Sequence, residues 1–337
     1  MNKTILLGHG SGGKLSNDLI KDLFVKYFFN DILKEQTDAA VIQVASKNLA
    51  FTTDSFVVDP IFFPGGDIGK LAVAGTVNDL AVSGSKPLFL SASFIIEEGF
   101  SLADLERIVK SMAQEAKVAG ISIVTGDTKV VNRGKCDKVF INTSGVGELL
   151  PKHINIGKGS NIQPGDKIII NGTIGDHGMA VMAAREELSF TTDIKSDCAC
   201  LNHLIGEALA VTDQIRFMRD ATRGGLATVL CELAENKNFG IEINEAALPV
   251  NENVRGMCEL LGFDPLYVAN EGKVVMVVGK KDAEKVLETL RKNKLGKEAA
   301  IIGEIVNEHL GRAWLTTGIG GRRIIDMLAG EQLPRIC

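Results

Sequence analysis

The chain has 337 residues, enough for about two domains at roughly 100–200 residues each. Apolar residues make up 45% and aromatics only 5%, so Ala, Val, Ile and Leu must build the core; disorder is excluded, and the 36 Gly follow no three-residue period, which excludes collagen. A formal charge of −5 argues against a nucleic-acid partner, which needs a basic surface, but it allows an anion held locally by backbone N–H groups and a metal.

Taken in chain order, the pattern alternates strands and helices. Residues 40–44 and 49–53 read as apolar strands. Asp67 has the position of a helix N-cap, with the helix running towards Ser83. Residues 88–96 follow as a strand. Ser101 and Asp104 resemble a capping box for a helix that runs to about Val118 and stops at Gly120. Residues 121–124 and 139–146 are the next strands. The stretch 151–166 has little periodicity, and the domain boundary is placed at its start: 1–150, then 151–329. The second half predicts strands at 167–171, 274–278, 300–305 and 313–317. It predicts helices at 178–187, 200–212, 224–236 and 282–292. Both halves are therefore α/β.

No apolar run approaches the roughly 18 residues of a membrane span, and Ile5-Leu6-Leu7 is too short for a signal-peptide core. Six cysteines in a chain this long are no disulfide scaffold. The expected compartment is the cytoplasm, with no membrane partner. Cys198-Ala-Cys200 with His203 lacks the second ligand pair of a structural zinc site, and it reads as a helix start.

Three carboxylates share a setting. Asp54 follows a strand, Asp79 lies in an otherwise apolar helix beside Asn78, and Asp127 follows a strand in Gly126-Asp127-Thr128-Lys129. A charged Asp in an apolar helix is costly unless paired or metal-bound, and such carboxylates commonly support Mg²⁺ on a polyphosphate. Singly, each is better read as a cap, turn or structural network; together they favour a metal. Glycine-rich segments precede three helices: Gly10-Ser11-Gly12-Gly13, Gly65-Gly66-Asp67, and Asp220-Ala221-Thr222-Arg223-Gly224-Gly225. Glycine lets a backbone approach phosphate closely at a helix N-terminus. None is a P-loop or a dinucleotide fingerprint, so the expected nucleotide site is of another kind. Residues 330–337 read as a mobile tail with a reach of about 25 Å at ~3.3 Å per residue. Its last residue is Cys337, whose thiol is either an ordinary exposed group or a nucleophile or carrier.

These residues together carry a resemblance. It runs through Gly8-His9-Gly10-Ser11-Gly12-Gly13, Thr52-Thr53-Asp54-Ser55, Phe63-Pro64-Gly65-Gly66-Asp67, Val77-Asn78-Asp79-Leu80 and Gly126-Asp127-Thr128-Lys129. It continues through Gly175-Asp176-His177-Gly178, Asp220 to Gly225, and Asn270-Glu271-Gly272. It ends in Pro334-Arg335-Ile336-Cys337. The chain resembles the carbamoyl dehydratases of hydrogenase maturation, in the PurM-like (AIR synthase-related) superfamily. The internal motifs specify the superfamily and the terminal four residues this branch. Ala221 departs from the usual Asp-Pro-Thr-Arg-Gly-Gly form, and Ala suits an early helical position equally.

The resemblance implies a two-domain α/β fold that forms a homodimer through its N-terminal sheet. It implies ATP held at Gly10, Gly12, Gly13, Asp54, Gly65, Gly66, Asp67, Asn78, Asp79, Asp127, Asp220 and Arg223. It implies Mg²⁺ on Asp54, Asp79 and Asp127. A carbamoyltransferase would load Cys337, Lys129 would stabilise charge near the transferred phosphoryl group, and Glu271 would act as base. The product would be a thiocyanate whose cyano group passes to an iron-carrying maturation scaffold complex of nickel–iron hydrogenase. Related enzymes such as AIR synthase, selenophosphate synthetase and thiamine-phosphate kinase give no reason for a terminal cysteine. Selenophosphate synthetase also needs Cys or selenocysteine beside Lys in its first glycine-rich loop, and here the first cysteine is Cys136. A reading from another class is a non-catalytic nucleotide-sensing scaffold.

Overall fold

The computed structural model describes residues 4–11, 13–37, 39–185, 192–328, 330, 333 and 335–337. The first part opens with α1 (Gly13–Leu19), which continues through a π-helical turn (Ile20–Val25) into α2 (Lys26–Phe28), followed by α3 (Asp31–Lys34). Next come β1 (Leu49–Phe56) and a two-residue hairpin, β2 (Phe62–Phe63) with β3 (Gly66–Asp67). Then follow α4 (Ile68–Val82), β4 (Ser85–Glu97), α5 (Leu102–Ala119), β5 (Ser122–Val131) and β6 (Val139–Leu149). Four strands make one sheet in the order β1-β6-β4-β5, with only β4 and β5 parallel.

Local chemistry explains these elements. The Asp67 carboxylate caps α4 by accepting from Gly69 N and Lys70 N, and Ser101 Oγ caps α5 by accepting from Asp104 N. Gly120, at φ 72°, ends α5 in the left-handed conformation that glycine tolerates. Helix α5 buries Leu105, Ile108, Val109, Met112, Ala116 and Ala119, an amphipathic stripe. Helix α4 is buried almost all round. A Cβ on Gly69 would come within 2.5 Å of the Ile108 carbonyl oxygen, so glycine sets how closely α4 and α5 pack.

The second part contains β7 (Lys167–Ile170), α6 (Asp176–Ala183), α7 (Asn202–Val211), β8 (Ile215–Asp220), α8 (Gly225–Ala234) and β9 (Gly240–Asn244). It continues with α9 (Glu252–Leu261), β10 (Val274–Val278), α10 (Ala283–Lys292), β11 (Ala300–Val306), β12 (Ala313–Thr316) and β13 (Arg322–Ile325). Its seven strands run in the order β13-β12-β9-β11-β7-β10-β8. Every residue of Val274–Val278 is buried, as a strand covered on both faces requires. Apolar clusters on its two sides hold α7 and α10 in one case and α8 in the other.

Residues 40–44, expected to be a strand, are irregular, with Val41 84% exposed. The run has β-prone residues but no partner strand. Strand β8 was not foreseen because Arg216, Arg219 and Asp220 interrupt its apolar pattern; Ile215, Phe217 and Met218 still point inward. The helix expected at 178–187 is α6, two residues earlier at its start, and its predicted end lies outside the described residues. No helix of the described residues is long and apolar enough to cross a membrane.

Candidate active site

Strand β1 has two faces. Thr52 and Asp54 point towards α4, whereas Leu49, Phe51, Thr53 and Ser55 point outward. Thr52 Oγ1 donates to Asp79 Oδ2 at 2.9 Å, which ties the strand to α4. Gly75 of α4 lets β1 approach, because a Cβ there would meet the Phe56 ring at 2.9 Å and Asp54 Oδ2 at 3.8 Å.

Asp79 thereby joins Asp54, and the C-terminal end of β8 adds Asp220. Burial first, then the Asp54 charge against the bond from Thr52, holds the Asp79 carboxyl above its ordinary value. Asp54 is likewise raised by burial, with the Arg223 guanidinium opposing. Asp220 is pushed up to about 7, by burial and then by the Asp79 charge. Glu271 is raised well above the ordinary range by burial and then by Asp220, Asp197, Asp54 and Asp79. It is 3% exposed, and its Oε1 has no hydrogen-bond partner. A cluster of carboxylates that repel one another, with one oxygen unsatisfied, suits a cation or a donor from a ligand.

The other predicted residues divide into three groups. Asp127 and Lys129 lie on β5, at the opposite edge of the sheet. The pairing is in register across all four strands: Asp127 with Ser93, Ser93 with Asn142, Asn142 with Ser55. Asp127 therefore shares the outward face with Ser55, while Asp54 points to the other face. The two edges are three strand spacings apart, about 14 Å at ~4.8 Å each. The expected trio of Asp54, Asp79 and Asp127 is thus not assembled within one chain. Among the described residues, no three His, Cys, Asp or Glu side chains converge as a ready metal cage. Asp127 accepts instead from Lys129 Nζ at 2.7 Å, which lowers its pKa. Gly10 lines the same cavity as these two residues, between β5 and the helical turns carrying Phe24 and Phe28.

A second group serves the fold. The Asn78 side-chain amide donates to the carbonyls of Ala199 (3.0 Å) and Glu271 (3.3 Å), and its oxygen accepts from Leu201 N at 2.8 Å. Both its N–H groups and its oxygen are engaged, which ties α4 to the Glu271 backbone. Asp67 is likewise used as a cap. Gly65, at φ 93°, packs on Ser196, whose carbonyl oxygen a Cβ would approach to 2.7 Å. Gly66 packs on Phe63. A third group has open surroundings: Arg223 is exposed near Asp54, and a Cβ on Gly13 would meet nothing within 4 Å. Gly12 lies outside the described residues.

The end of the chain is docked beside this site. Val57 N donates to Cys337 O at 3.2 Å, and Asp59 N to Arg335 O at 3.1 Å. Arg335 Nε donates to Val57 O, and its guanidinium pairs with Asp137. Leu333 and Ile336 are buried. The Cys337 backbone is therefore bound to Val57, which lies three residues beyond Asp54. The mobility expected of the tail starts from a well-bonded position. Cys198 and Cys200 are buried thiols whose pKa values are raised well above the ordinary thiol range, chiefly by desolvation. His203 bonds to the Val118 carbonyl. These three form no metal site.

Sequence reasoning missed His177, Asp197 and Ser196, which tie the tail to the Glu271 loop. Asp197 accepts from Glu271 N (3.0 Å), Gly272 N (3.1 Å) and Lys273 Nζ (2.8 Å). The signal available was Gly175-Asp176-His177-Gly178, a motif of the resemblance to which no role was attached.

Comparison with known proteins identifies the class. Residues 36–149 match the AIR synthase related protein N-terminal domain, and residues 163–315 the corresponding C-terminal domain. The carbamoyl dehydratase HypE of Rhodobacter capsulatus is 51% identical over 340 residues, covering 100% of this chain and 99% of the relative. A crystal structure of the hydrogenase maturation protein HypE in complex with ATP superposes with a TM-score of 0.94 at 47% identity, covering 99% of this chain and 100% of that one. The HypE of a HypE–HypF complex superposes at 0.80 with 52% identity, covering 92% of this chain and 99% of that one. A full-length match at this identity, with both domain models in order, shows that the chain belongs to the AIR synthase related family and, within it, to the HypE carbamoyl dehydratases.

Proposed function

We propose that the chain dehydrates a carbamoyl group carried on Cys337 to a thiocyanate, using ATP, in the cytoplasm. A carbamoyltransferase loads the thiol, and an iron-carrying scaffold complex receives the cyano group for nickel–iron hydrogenase. The observations that carry this reading are the Cys337 backbone held by Val57, three positions beyond Asp54 in the sequence, and a buried Glu271 whose Oε1 is unsatisfied. The crystallised relative that binds ATP and the one in complex with HypF support the nucleotide and the loading partner.

The carboxamide oxygen is a poor leaving group. It attacks the γ-phosphorus of ATP, the bond to ADP breaks, and loss of one N–H proton to solvent leaves an O-phosphorylated imidate. The C–O bond then breaks, phosphate departs with that oxygen, and the remaining N–H proton passes to Glu271, leaving S–C≡N. Burial among carboxylates makes Glu271 a strong proton acceptor once it is ionised. Asp54, Asp79 and Asp220 feel one another's charge and are partly desolvated, and they would supply carboxylates to a divalent cation arriving with the nucleotide, whose phosphates would complete the shell that these side chains do not form alone. Mg²⁺ held there would neutralise charge developing on the transferred phosphoryl group.

Lys129 and Asp127 enter this scheme through a second protomer. The outward sheet face exposes Leu49, Phe51 and Ile95, which suits burial against a copy of itself. A two-fold axis along the strands would lay the β5 edge of one copy over the β1 edge of the other. Asp127 and Lys129 of one protomer would then border the Asp54 edge of its neighbour.

Intact mass spectrometry tests the proposal. The carbamoylated protein should lose one water on addition of ATP and Mg²⁺, and Cys337→Ala should neither load nor turn over. ATP binding with no mass change would overturn the enzyme reading in favour of a nucleotide-sensing scaffold.

A further inference from the structure

The carbonyls of the last three residues are all bound. Cys337 O accepts from Val57 N, Arg335 O accepts from Asp59 N and from Arg185 Nη2 (3.3 Å), and Ile336 O accepts from His177 Nε2 at 2.7 Å. Two of these partners are backbone and two are the Arg185 and His177 side chains; His177 is 0% exposed and lies on the first turn of α6. A carbonyl can only accept, so Nε2 carries the proton. Nδ1 is then the acceptor, and Ser196 Oγ lies 2.8 Å from it as the donor. The edge of the Phe63 ring, 5.4 Å away between centroids, closes another side of the imidazole. The imidazole therefore has one tautomer and one orientation.

Ser196 is itself fixed. Its N–H donates to Pro64 O at 2.8 Å, and Gly65 packs on its backbone. Its neighbour Asp197 gathers the Glu271 and Gly272 N–H groups and the Lys273 ammonium. One short segment thus holds the loop of the proposed base on one side and, through His177, the last peptide before the terminal thiol on the other. A Cβ on Gly178 would come within 3.1 Å of Leu333 Cδ1, so the helix carrying His177 is also where the tail packs.

We propose that His177 is a positioning residue for the dehydration step: its Nε2–H latches the Ile336 carbonyl and, with Ser196 and Asp197, sets Cys337 in register with Glu271. The latch rests on the carrier reading of Cys337. Its role is geometric, since His177 touches neither the proposed reacting atoms nor the acid cluster. A hydrogen bond to a buried carbonyl that is lost without replacement slows a step depending on it by about tenfold or more.

The test uses the full chain with the variants His177→Leu, which removes the donor, His177→Gln, which retains an N–H near the Nε2 position, and Ser196→Ala, which removes the tautomer partner. Two readouts are taken after circular dichroism confirms folding. The first is single-turnover loss of water from the carbamoylated protein with ATP at saturation, alongside the ATP KM. The second is iodoacetamide alkylation of the unloaded Cys337 thiol, assigned by peptide mass. His177→Leu is expected to slow dehydration about tenfold with an unchanged ATP KM and to speed Cys337 alkylation. His177→Gln should recover most of both, and Ser196→Ala should shift both in the direction of His177→Leu. Parental rates in folded His177→Leu, or in Ser196→Ala if His177→Leu fails to fold, would overturn the latch. A parental protein that never loses water would instead overturn the proposed function, and the alkylation readout would still decide the latch.

Discussion

Asp220→Asn isolates the electrostatic cost of the acid cluster. Asn is nearly isosteric with the protonated acid, so the substitution removes a charge while keeping the shape. The Asp220 carboxyl stands at about 7 in the folded chain against an ordinary 3.8. Below about pH 4 both folded and unfolded chains hold the proton, and the group contributes no penalty. From there to about pH 7 the unfolded chain releases the proton and the folded chain keeps it, so stability falls as pH rises; above about pH 7 the penalty is constant. The full span corresponds to about 4 kcal/mol at about 1.4 kcal/mol per pH unit, an upper bound once solvent relaxation is included. Between about pH 5 and about pH 8 the part that develops is about 3 kcal/mol. Urea unfolding of both proteins at these two pH values, without divalent cation, measures it. The stability of Asp220→Asn relative to the parent should rise by up to about 3 kcal/mol from the lower to the higher pH. Mg²⁺ at the higher pH should stabilise the parent more than the variant. A constant difference between the two proteins at both pH values would refute the reasoning, because it would mean that Asp220 ionises in the fold without penalty.

Other expectations follow from single contacts. Gly65→Ala should destabilise by about 1–3 kcal/mol in thermal unfolding, since it adds a Cβ at φ 93° against the Ser196 backbone. Asp67→Ala should cost about 1 kcal/mol through the lost α4 cap, with ATP affinity unchanged in a titration; a large loss of affinity would restore Asp67 to the nucleotide site. If the outward sheet face is a dimer interface, Phe51→Asp should give monomers where the parent sediments as a dimer, while leaving the fold intact. If the two edges of the sheet meet across a dimer, inactive Asp54→Asn and Lys129→Ala proteins should recover about a quarter of parental activity when mixed and allowed to exchange subunits. No recovery would place both residues in one protomer's site.

The elements most legible from the residues were those whose signals are local. The Asp67 and Ser101 caps, the Gly120 stop and the apolar run at 274–278 each act over a few residues, and the helices and strand they predict are in the structure. The strand expected at 40–44 is absent because strand formation needs a partner, which no local pattern supplies. In the site, residue type was a guide to chemistry but not to grouping. Asp54, Asp79 and Asp127 look alike along the chain, yet an offset of one residue in sheet register turns Asp127 to the other face, across three strands. Asn78 and Asp67 have the composition of ligand contacts but are consumed by backbone groups that only the fold brings within reach.

By itself the sequence determined the α/β class, the family and the singular terminal cysteine, because motifs and caps are short-range and chemical. The tertiary structure alone decided which carboxylates share a charge environment, where the tail docks and what holds it. Those depend on register and on contacts between residues as distant in the chain as His177 and Ile336, and a terminal residue has no position until the rest of the fold provides one.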